Sequence, residues 1–324
     1  EQAAVSLPTL LAHRLAERPP GRRWLIDELW GDEAVGIVGG EPKCCKSFLA
    51  LAMAVSVAGG VPCLHRFAPT QTGRVLLFAA EDALHVVRQR LAGIAAAAGR
   101  ALADLDIHVI TAPTVRLDVE RDRDALAETI AGLKPKLLIL DPFVRLHRID
   151  ENISGEVAPL LAYLRELQRR HHLAVVLVHH ARKGGAKMRA GQALRGSSEF
   201  HAWGDSNLYL RRHGEQLTLS VEHRAAASIT AISLQLAVGG DAVALATLDR
   251  HVAEPAASAA IATPAAPTVA QKIEAELAAA ASPLTAAAIR KLCRLRNATL
   301  TTALTDLVAA GRVRKDSTGY TIAR

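Results

Sequence analysis

Five short apolar runs alternate with segments of helical periodicity between residues 34 and 183. The runs are AVGIVGG, GRVLLFAAED, DIHVITAP, KLLILDPF and LAVVLVHHARK. Short continuous apolar runs are typical of strands buried on both faces of a sheet. The helix candidates between them are Lys46–Ala58, Asp82–Ala98, Arg121–Gly132 and Gly155–Arg170. This alternation predicts an α/β fold, with a mostly parallel twisted sheet and helices on both faces.

Two further stretches follow this alternating part of the chain. SNLYLRRHGEQLTLSVEHR contains two alternating strands around His213–Gly214, which predicts a hairpin at the sheet edge. Residues 253–267, AEPAASAAIATPAAP, form an Ala/Pro linker with no face to bury. We therefore expect an N-terminal segment at residues 1–33, an α/β core at 34–252, this linker, and a small C-terminal domain at 268–324.

The C-terminal domain has the pattern of three helices and a two-stranded wing. TVAQKIEAELAAAA, LTAAAIRKLCRL and NATLTTALTDLVAAG are the helix candidates, and RVRKDSTGYTIA is the wing. The third helix is expected to turn Leu300, Leu304 and Leu307 inward. This order of elements resembles a winged helix–turn–helix.

The positive charge of the chain is concentrated in this domain. Residues 268–324 contain nine Lys or Arg and four acidic residues, so they carry +5 of the net charge of +7. A compact basic module favours an anionic partner, and nucleic acid is the first candidate. Arg294, Arg296 and Arg314 are predicted to contact duplex DNA from the third helix and the wing. Docking onto a protein is the alternative for this domain.

Composition argues against several other classes of protein. No apolar run is long enough to span a bilayer, and the first residues lack the pattern of a signal peptide. The four cysteines do not form a disulfide framework or a C-x-x-C zinc pair. We therefore expect a cytoplasmic protein without a membrane segment.

The stretch GIVGGEPKCCKSFLALAM joins a strand to a helix through a near match to the phosphate-loop motif G-x-x-x-x-G-K-[ST]. Backbone N–H groups in such a loop converge on phosphate oxygens at a helix N-terminus. We expect Lys46 to bridge the β- and γ-phosphates of ATP and the Ser47 hydroxyl to ligate Mg²⁺. The predicted nucleotide-binding residues are Gly40, Pro42, Lys43, Cys44, Cys45, Lys46, Ser47 and Phe48.

Cys45 stands where the motif has glycine. A cysteine costs little there if its backbone φ is helical, because the backbone N–H donors are kept. If φ must be positive, the strain is on the order of 1–2 kcal/mol. A redox role for the adjacent Cys44 and Cys45 is less well motivated than two small residues in a tight loop.

Acidic residues end two of the other predicted strands. Asp141, at the end of KLLILDPF, is expected to help hold Mg²⁺ beside the phosphate loop. Glu81, at the end of VLLFAAED, is expected to orient an attacking water or accept its proton. The alternative for Glu81 is an acid that complements the dipole of the next helix. Asp82 fits the N-cap of that helix.

Two histidines, His179 and His180, end the last buried strand. Joint metal ligation is disfavoured because neighbouring strand residues point to opposite faces of a sheet. One of the two is expected to touch the γ-phosphate, and the other to be packed in the core.

This order of motifs resembles the RecA-like P-loop ATPase fold, and most closely the RepA-type hexameric helicase group of AAA-family ATPases. The resemblance covers about Trp24 to Arg224. Its carriers are GEPKCCKS, AAED, LLILDPF, VHHARK and LRGSSEFHAWGDSNLYL. It implies ATP and Mg²⁺ as ligands, a homo-oligomeric ring with six subunits, and single-stranded DNA in the central channel.

The resemblance also implies roles for individual residues. His180 matches the γ-phosphate sensor, and Arg195 would lie near the channel or a subunit interface. Arg224 matches the arginine finger that reaches the neighbouring subunit's site. The family's companion lysine, two residues earlier, is Glu222 here, so the trans site would be built differently. The alternative for Arg224 is a solvated strand charge.

The segment Ala181–Gly196 is basic and glycine-rich and contains no aromatic residue. Loops at this place in RecA-like rings line the channel. Basic side chains on a flexible loop suit contact with the phosphates of single-stranded DNA. A disordered surface loop is the alternative. The predicted contact residues are Arg182, Lys183, Lys187, Arg189 and Arg195.

The leading functional hypothesis is a ring-forming, DNA-dependent ATPase, such as the replicative helicase of a mobile element. A second hypothesis is an ATP-gated DNA-binding regulator or loader. A third is a signalling or defence ATPase that does not act on DNA, such as a KaiC-like ring, with a docking tail.

Overall fold

The computed structural model describes residues 9–15, 23–180, 199–248, 269–280, 282–293, 297–309, 311–316 and 318–322. The chain forms two compact units, Glu1–Val252 and Ala253–Arg324.

The first unit contains eleven strands and five helices within its described residues. The strands are β1 Trp24–Ile26, β2 Trp30–Gly31, β3 Val35–Gly40, β4 Val75–Ala79, β5 Ile107–Val109, β6 Leu137–Asp141, β7 Ala174–His180, β8 Ser206–His213, β9 Gln216–His223, β10 Ile229–Gly239 and β11 Ala242–Thr247. The helices are α1 Lys46–Gly59, α2 Leu84–Ala97, α3 Glu120–Leu133, α4 Ser154–His171 and α5 Glu199–Trp203. The five predicted strands and the four predicted helices are therefore confirmed, with ends displaced by a few residues.

Nine of these strands form one sheet in the order β11-β10-β9-β8-β3-β7-β6-β4-β5. The six strands from β8 to β5 run parallel, and β9, β10 and β11 are added antiparallel. The strand that precedes the phosphate loop, β3, lies inside the parallel part. The sheet confirms the predicted α/β fold with a mostly parallel sheet.

Helices cover both faces of the sheet because alternate strand residues point to opposite sides. In β6, Leu137 and Ile139 join the core that packs under α1 and α2. Leu138 and Leu140 join the core that packs under α3, α4 and α5. Burying both sets of side chains removes apolar surface from water on either side, which stabilises the sheet from both faces.

Two local predictions for this unit are wrong. The hairpin of β8 and β9 is present, but it lies inside the sheet because β10 and β11 extend the sheet beyond it. The edge strands are β11 and β5. Asp82 does not cap α2: the N-cap position is Ala83, without a side-chain cap bond, and Asp82 forms an ion pair with Arg90 instead.

The described residues of the second unit form three helices, α6 Val269–Ala279, α7 Ala286–Cys293 and α8 Asn297–Ala309. They are followed by an antiparallel pair, β12 Val313–Lys315 and β13 Tyr320–Ile322. The predicted inward leucines of α8 are buried in the core of this unit, together with Ile273 and Ile289. Its identification as a winged helix–turn–helix stays a prediction.

Candidate nucleotide-binding site

A cleft of about 340 Å³ opens at the carboxyl edge of the parallel strands. Parallel strands end on the same side of a sheet, and the register brings Gly40 beside His180 and Ala79 beside Asp141. The cleft is lined by Lys43, Cys44, Cys45, Lys46, Ser47, Phe48, Ala79, Glu81, Asp82, Arg90, Asp141, Val178 and His180. Four predicted site residues, from the ends of four different strands, therefore meet in one cleft: Lys46, Glu81, Asp141 and His180.

The loop from Gly40 to Lys46 has the backbone of a tight turn. A Cβ on Gly40 would lie 2.4 Å from the carbonyl oxygen of Leu210, so only glycine fits there. Lys43 and Cys45 both have left-handed backbones, with φ of 62° and 64°. Gly40 and Pro42 do not line the cleft. Gly40 shapes the loop because it permits the close approach of β8.

The backbone of Cys45 is left-handed and not helical, because its φ is positive. Strain on the order of 1–2 kcal/mol is therefore expected relative to glycine. Part of this cost is offset by contacts, since Cys45 packs against the core and Nη2 of Arg212 lies 3.5 Å from its Sγ.

Lys46 points into the cleft from the first turn of α1 and is only 6% exposed. Its Nζ donates to the carbonyl oxygen of Glu41 at 2.8 Å. Burial lowers the pKa of Lys46, while nearby Cys44, Asp141 and Glu81 act in the opposite direction. A buried ammonium group whose main acceptor is a loop carbonyl is well placed to bind phosphate oxygens instead.

The Ser47 hydroxyl forms a hydrogen bond with the carboxylate of Asp141. Burial raises the pKa of Asp141 to about 6, and the Ser47 bond and Lys46 oppose this rise. A hydroxyl and a carboxylate in contact are oxygen ligands of the kind that Mg²⁺ prefers. These two residues therefore fit the predicted metal site.

Glu81 lies two residues after the end of β4, with its side chain 43% exposed at the cleft. Its Oε1 accepts a hydrogen bond from Nε of Arg145 at 3.0 Å. Glu81 does not cap α2, which begins at Leu84. Its carboxylate faces the same space as Lys46 and Asp141, as a water-orienting group must.

The two histidines at the end of β7 point to opposite sides, as predicted. His179 is buried and stacks on Phe200, with ring centroids 4.4 Å apart. His180 is half-buried and lines the cleft. His180 is therefore the one of the pair that can meet a nucleotide.

Arg224 lies outside the cleft, just after the end of β9. Its backbone N–H donates to the carbonyl oxygen of Asp205, and its Nη1 lies 3.3 Å from Oδ1 of the same residue. Nη2 also donates to the carbonyl of Ala202. Asp205 donates its N–H to the carbonyl oxygen of Val35, at the beginning of β3. The arginine is thus at the end of the sheet opposite the phosphate loop.

Most of the predicted DNA contacts lie outside the described residues. These are Arg182, Lys183, Lys187, Arg189 and Arg195 in the first unit, and Arg294 and Arg296 in the second. Arg314 is described and lies exposed on β12.

Three arginines near the cleft were missed by sequence reasoning. Arg90 on α2 lines the cleft, and its guanidinium lies 5.4 Å from the ring centroid of Phe48. Arg145 holds Glu81, and Arg212 touches Cys45. No motif marks them, because their positions depend on how distant elements pack.

The sheet and the cleft define a P-loop ATPase. Residues 1–186 match a family model described as AAA domain, which is more than half of the 324 residues. The chain belongs to this family, and its function is that of a nucleotide-dependent ATPase.

The structure is also similar to one described as the crystal structure of the RadB recombinase. The TM-score is 0.47 at 16% sequence identity, and the match covers 64% of this chain and 88% of that chain. Among the residues that the structure describes, no helix has the length and apolarity needed to cross a membrane.

Proposed function

We propose that the protein is a ring-forming ATPase that couples ATP hydrolysis to movement along single-stranded DNA. The observation that carries this proposal is the position of Arg224. It lies at the opposite end of the sheet from its own cleft, where it cannot serve its own nucleotide. In a ring, the same arginine would face the cleft of a neighbouring copy.

The residues of the cleft take separate roles in this proposal. The N–H groups of the phosphate loop and the ammonium group of Lys46 bind the phosphates of ATP. Ser47 and Asp141 hold Mg²⁺, which neutralises phosphate charge. Glu81 orients the attacking water and takes its proton, and His180 contacts the γ-phosphate.

Arg224 would stabilise the charge that develops on the phosphates of the neighbouring subunit's nucleotide. In the single chain it is bound to Asp205 and to the carbonyl of Ala202. These contacts hold the guanidinium itself, and the side chain is 55% exposed. Glu222, two residues earlier on β9, replaces the lysine expected from the resemblance.

The basic segment at residues 181–196 is proposed to contact the phosphates of single-stranded DNA. It follows directly after His180, so nucleotide state and DNA contact are linked through the end of β7. The C-terminal unit at 268–324 is proposed to be a winged helix–turn–helix that binds duplex DNA. The exposed Arg314 and the net charge of +5 support that role.

The test is the ATPase rate of the full chain with and without single-stranded DNA, together with particle mass with and without ATP. We expect DNA to raise the rate about tenfold or more, and ATP to produce particles of several subunits. Lys46→Ala and Glu81→Gln should lower the stimulated rate by at least about a hundredfold. Equal rates with and without DNA would refute the motor. A monomer at all ATP concentrations would refute the ring.

A further inference from the structure

Arg145 contacts the residue to which we assign the attacking water. Its Nε donates to Oε1 of Glu81 at 3.0 Å, and the two residues lie in loops that follow the neighbouring strands β6 and β4. We propose that Arg145 is a positioning residue for ATP hydrolysis, which acts by fixing the carboxylate of Glu81. This inference rests on the role proposed above for Glu81.

The backbone that carries Arg145 is held in place from both sides. Residues Phe143–Arg145 form a 3₁₀ turn, in which the N–H of Arg145 donates to the carbonyl of Pro142 at 3.1 Å. Phe143 and Leu146, which flank the exposed residues Val144 and Arg145, are fully buried. Leu117 donates its N–H to the carbonyl of Leu146 at 2.6 Å. The side chain of Arg145 therefore starts from a fixed backbone position.

The backbone of Glu81 is also anchored, but its side chain is not packed. The N–H of Ala80 donates to the carbonyl of Asp141 at 2.7 Å, which continues the contact between β4 and β6 beyond the strand ends. The Glu81 side chain is 43% exposed. A long side chain at an exposed position samples several rotamers unless a partner selects one. Among the described residues, Arg145 is the side chain that forms a hydrogen bond with Glu81.

Arg145 also compensates negative charge in the cleft. Three carboxylates line the cleft, where the phosphates of ATP would add further negative charge. Asp82 is paired with Arg90, and Asp141 is bonded to Ser47. Arg145 supplies the counter-charge for the third carboxylate, Glu81. One oxygen of Glu81 accepts the Arg145 bond, and we assign the attacking water to the other.

The test measures kcat, KM and equilibrium ATP binding for Arg145→Ala and Arg145→Lys in the full chain. We expect Arg145→Ala to lower kcat about tenfold and to change the Kd for ATP by less than about threefold. The lysine variant should recover part of the rate, because it restores the charge but not the geometry of the guanidinium. Arg148→Ala is the matched control: it removes an exposed arginine three residues later and should leave kcat unchanged.

A double variant separates positioning from a general structural effect. If Arg145 acts through Glu81, Arg145→Ala should not slow Glu81→Gln any further in single-turnover assays. Urea transitions verify that each variant is folded. If Arg145→Ala does not fold, Arg145→Gln, which keeps most of the size without the charge, makes the same comparison.

The outcomes distinguish this inference from the function on which it rests. Wild-type activity of Glu81→Gln would overturn both the role of Glu81 and that of Arg145. If Glu81→Gln is slowed as expected but retains a measurable single-turnover rate, three results would overturn the Arg145 inference alone. These are an unchanged kcat in Arg145→Ala, an equal loss in Arg148→Ala, and a further loss of about tenfold in the double variant.

Discussion

Replacing Asp141 with asparagine should stabilise the protein while it destroys the metal site. Burial raises the pKa of Asp141 from 3.8 to about 6, helped by the carboxylates of Asp82 and Glu81. At about 1.4 kcal/mol per pH unit, this difference corresponds to about 3 kcal/mol of destabilisation when the carboxylate is ionised. Asparagine keeps an oxygen that can accept the Ser47 hydrogen bond. The free energy of unfolding should therefore rise by up to about 3 kcal/mol.

The gain in the free energy of unfolding should increase with pH, because the pKa of Asp141 is raised in the folded protein. Well below pH 3.8, at about pH 3, Asp141 is protonated in the folded and the unfolded chain, so its charge costs nothing. Between about pH 4 and 6 the unfolded carboxylate ionises while the folded one keeps its proton, and wild-type stability falls. Above about pH 6 the full cost is present. Asp141→Asn should thus be more stable than wild type at pH 8 and nearly equal to it at about pH 3.

Urea unfolding without Mg²⁺ or nucleotide measures this difference. The three tryptophans, Trp24, Trp30 and Trp203, all belong to the first unit, so their fluorescence reports on that unit. Asp106→Asn is the control, because its hydrogen bond with Arg74 lowers the pKa of Asp106. It should give a small loss at pH 8. An equal gain for Asp141→Asn at both pH values, or a loss at pH 8, would show that ionised Asp141 does not destabilise the folded protein.

Three further predictions concern backbone and ion-pair geometry. Cys45→Gly should bind ATP within about threefold of wild type, because relief of left-handed strain offsets the greater freedom of the glycine backbone. Cys45→Val should bind ATP at least about tenfold more weakly, because a β-branched residue is disfavoured at a φ of 64°. ATP titrations compare the two. Gly40→Ala should lose ATP binding and more than about 2 kcal/mol of stability in urea, because its Cβ would lie 2.4 Å from the Leu210 oxygen; wild-type binding would contradict this. Asp205→Ala should lower the free energy of unfolding by about 2 kcal/mol, because Arg165 loses a bidentate partner; a change below about 0.5 kcal/mol would show that solvent screens the pair.

The sequence predicts the part of the site that depends on strand ends. Lys46, Ser47 and Asp141 follow apolar runs, and parallel strands must end at one edge of their sheet. Their convergence therefore requires only the α/β alternation and the phosphate-loop spacing. Alternation of side chains along a strand predicts only that one of His179 and His180 faces the cleft, and the family resemblance assigns that position to His180.

The contacts of the cleft that the sequence does not predict depend on packing between distant segments of the chain. Arg145 and Glu81 are in contact although 64 positions separate them in the sequence, and Arg212 and Cys45 are 167 positions apart. No local pattern encodes either pair. The φ of Cys45 is likewise set by the turn into α1, since the cysteine side chain itself prefers a negative φ. The hairpin of β8 and β9 lies inside the sheet because β10 and β11, which follow the last predicted strand, extend the sheet beyond it.

We propose that each active site is completed by Arg224 of a neighbouring subunit, and mixing two inactive variants tests this proposal. Lys46→Ala keeps Arg224, and Arg224→Ala keeps the phosphate loop. In a randomly mixed ring about a quarter of the interfaces combine both intact residues. DNA-stimulated ATPase activity should therefore appear on mixing, at up to about a quarter of the wild-type rate. Strong activity of Arg224→Ala alone, or no activity in rings shown to contain both variants, would contradict it.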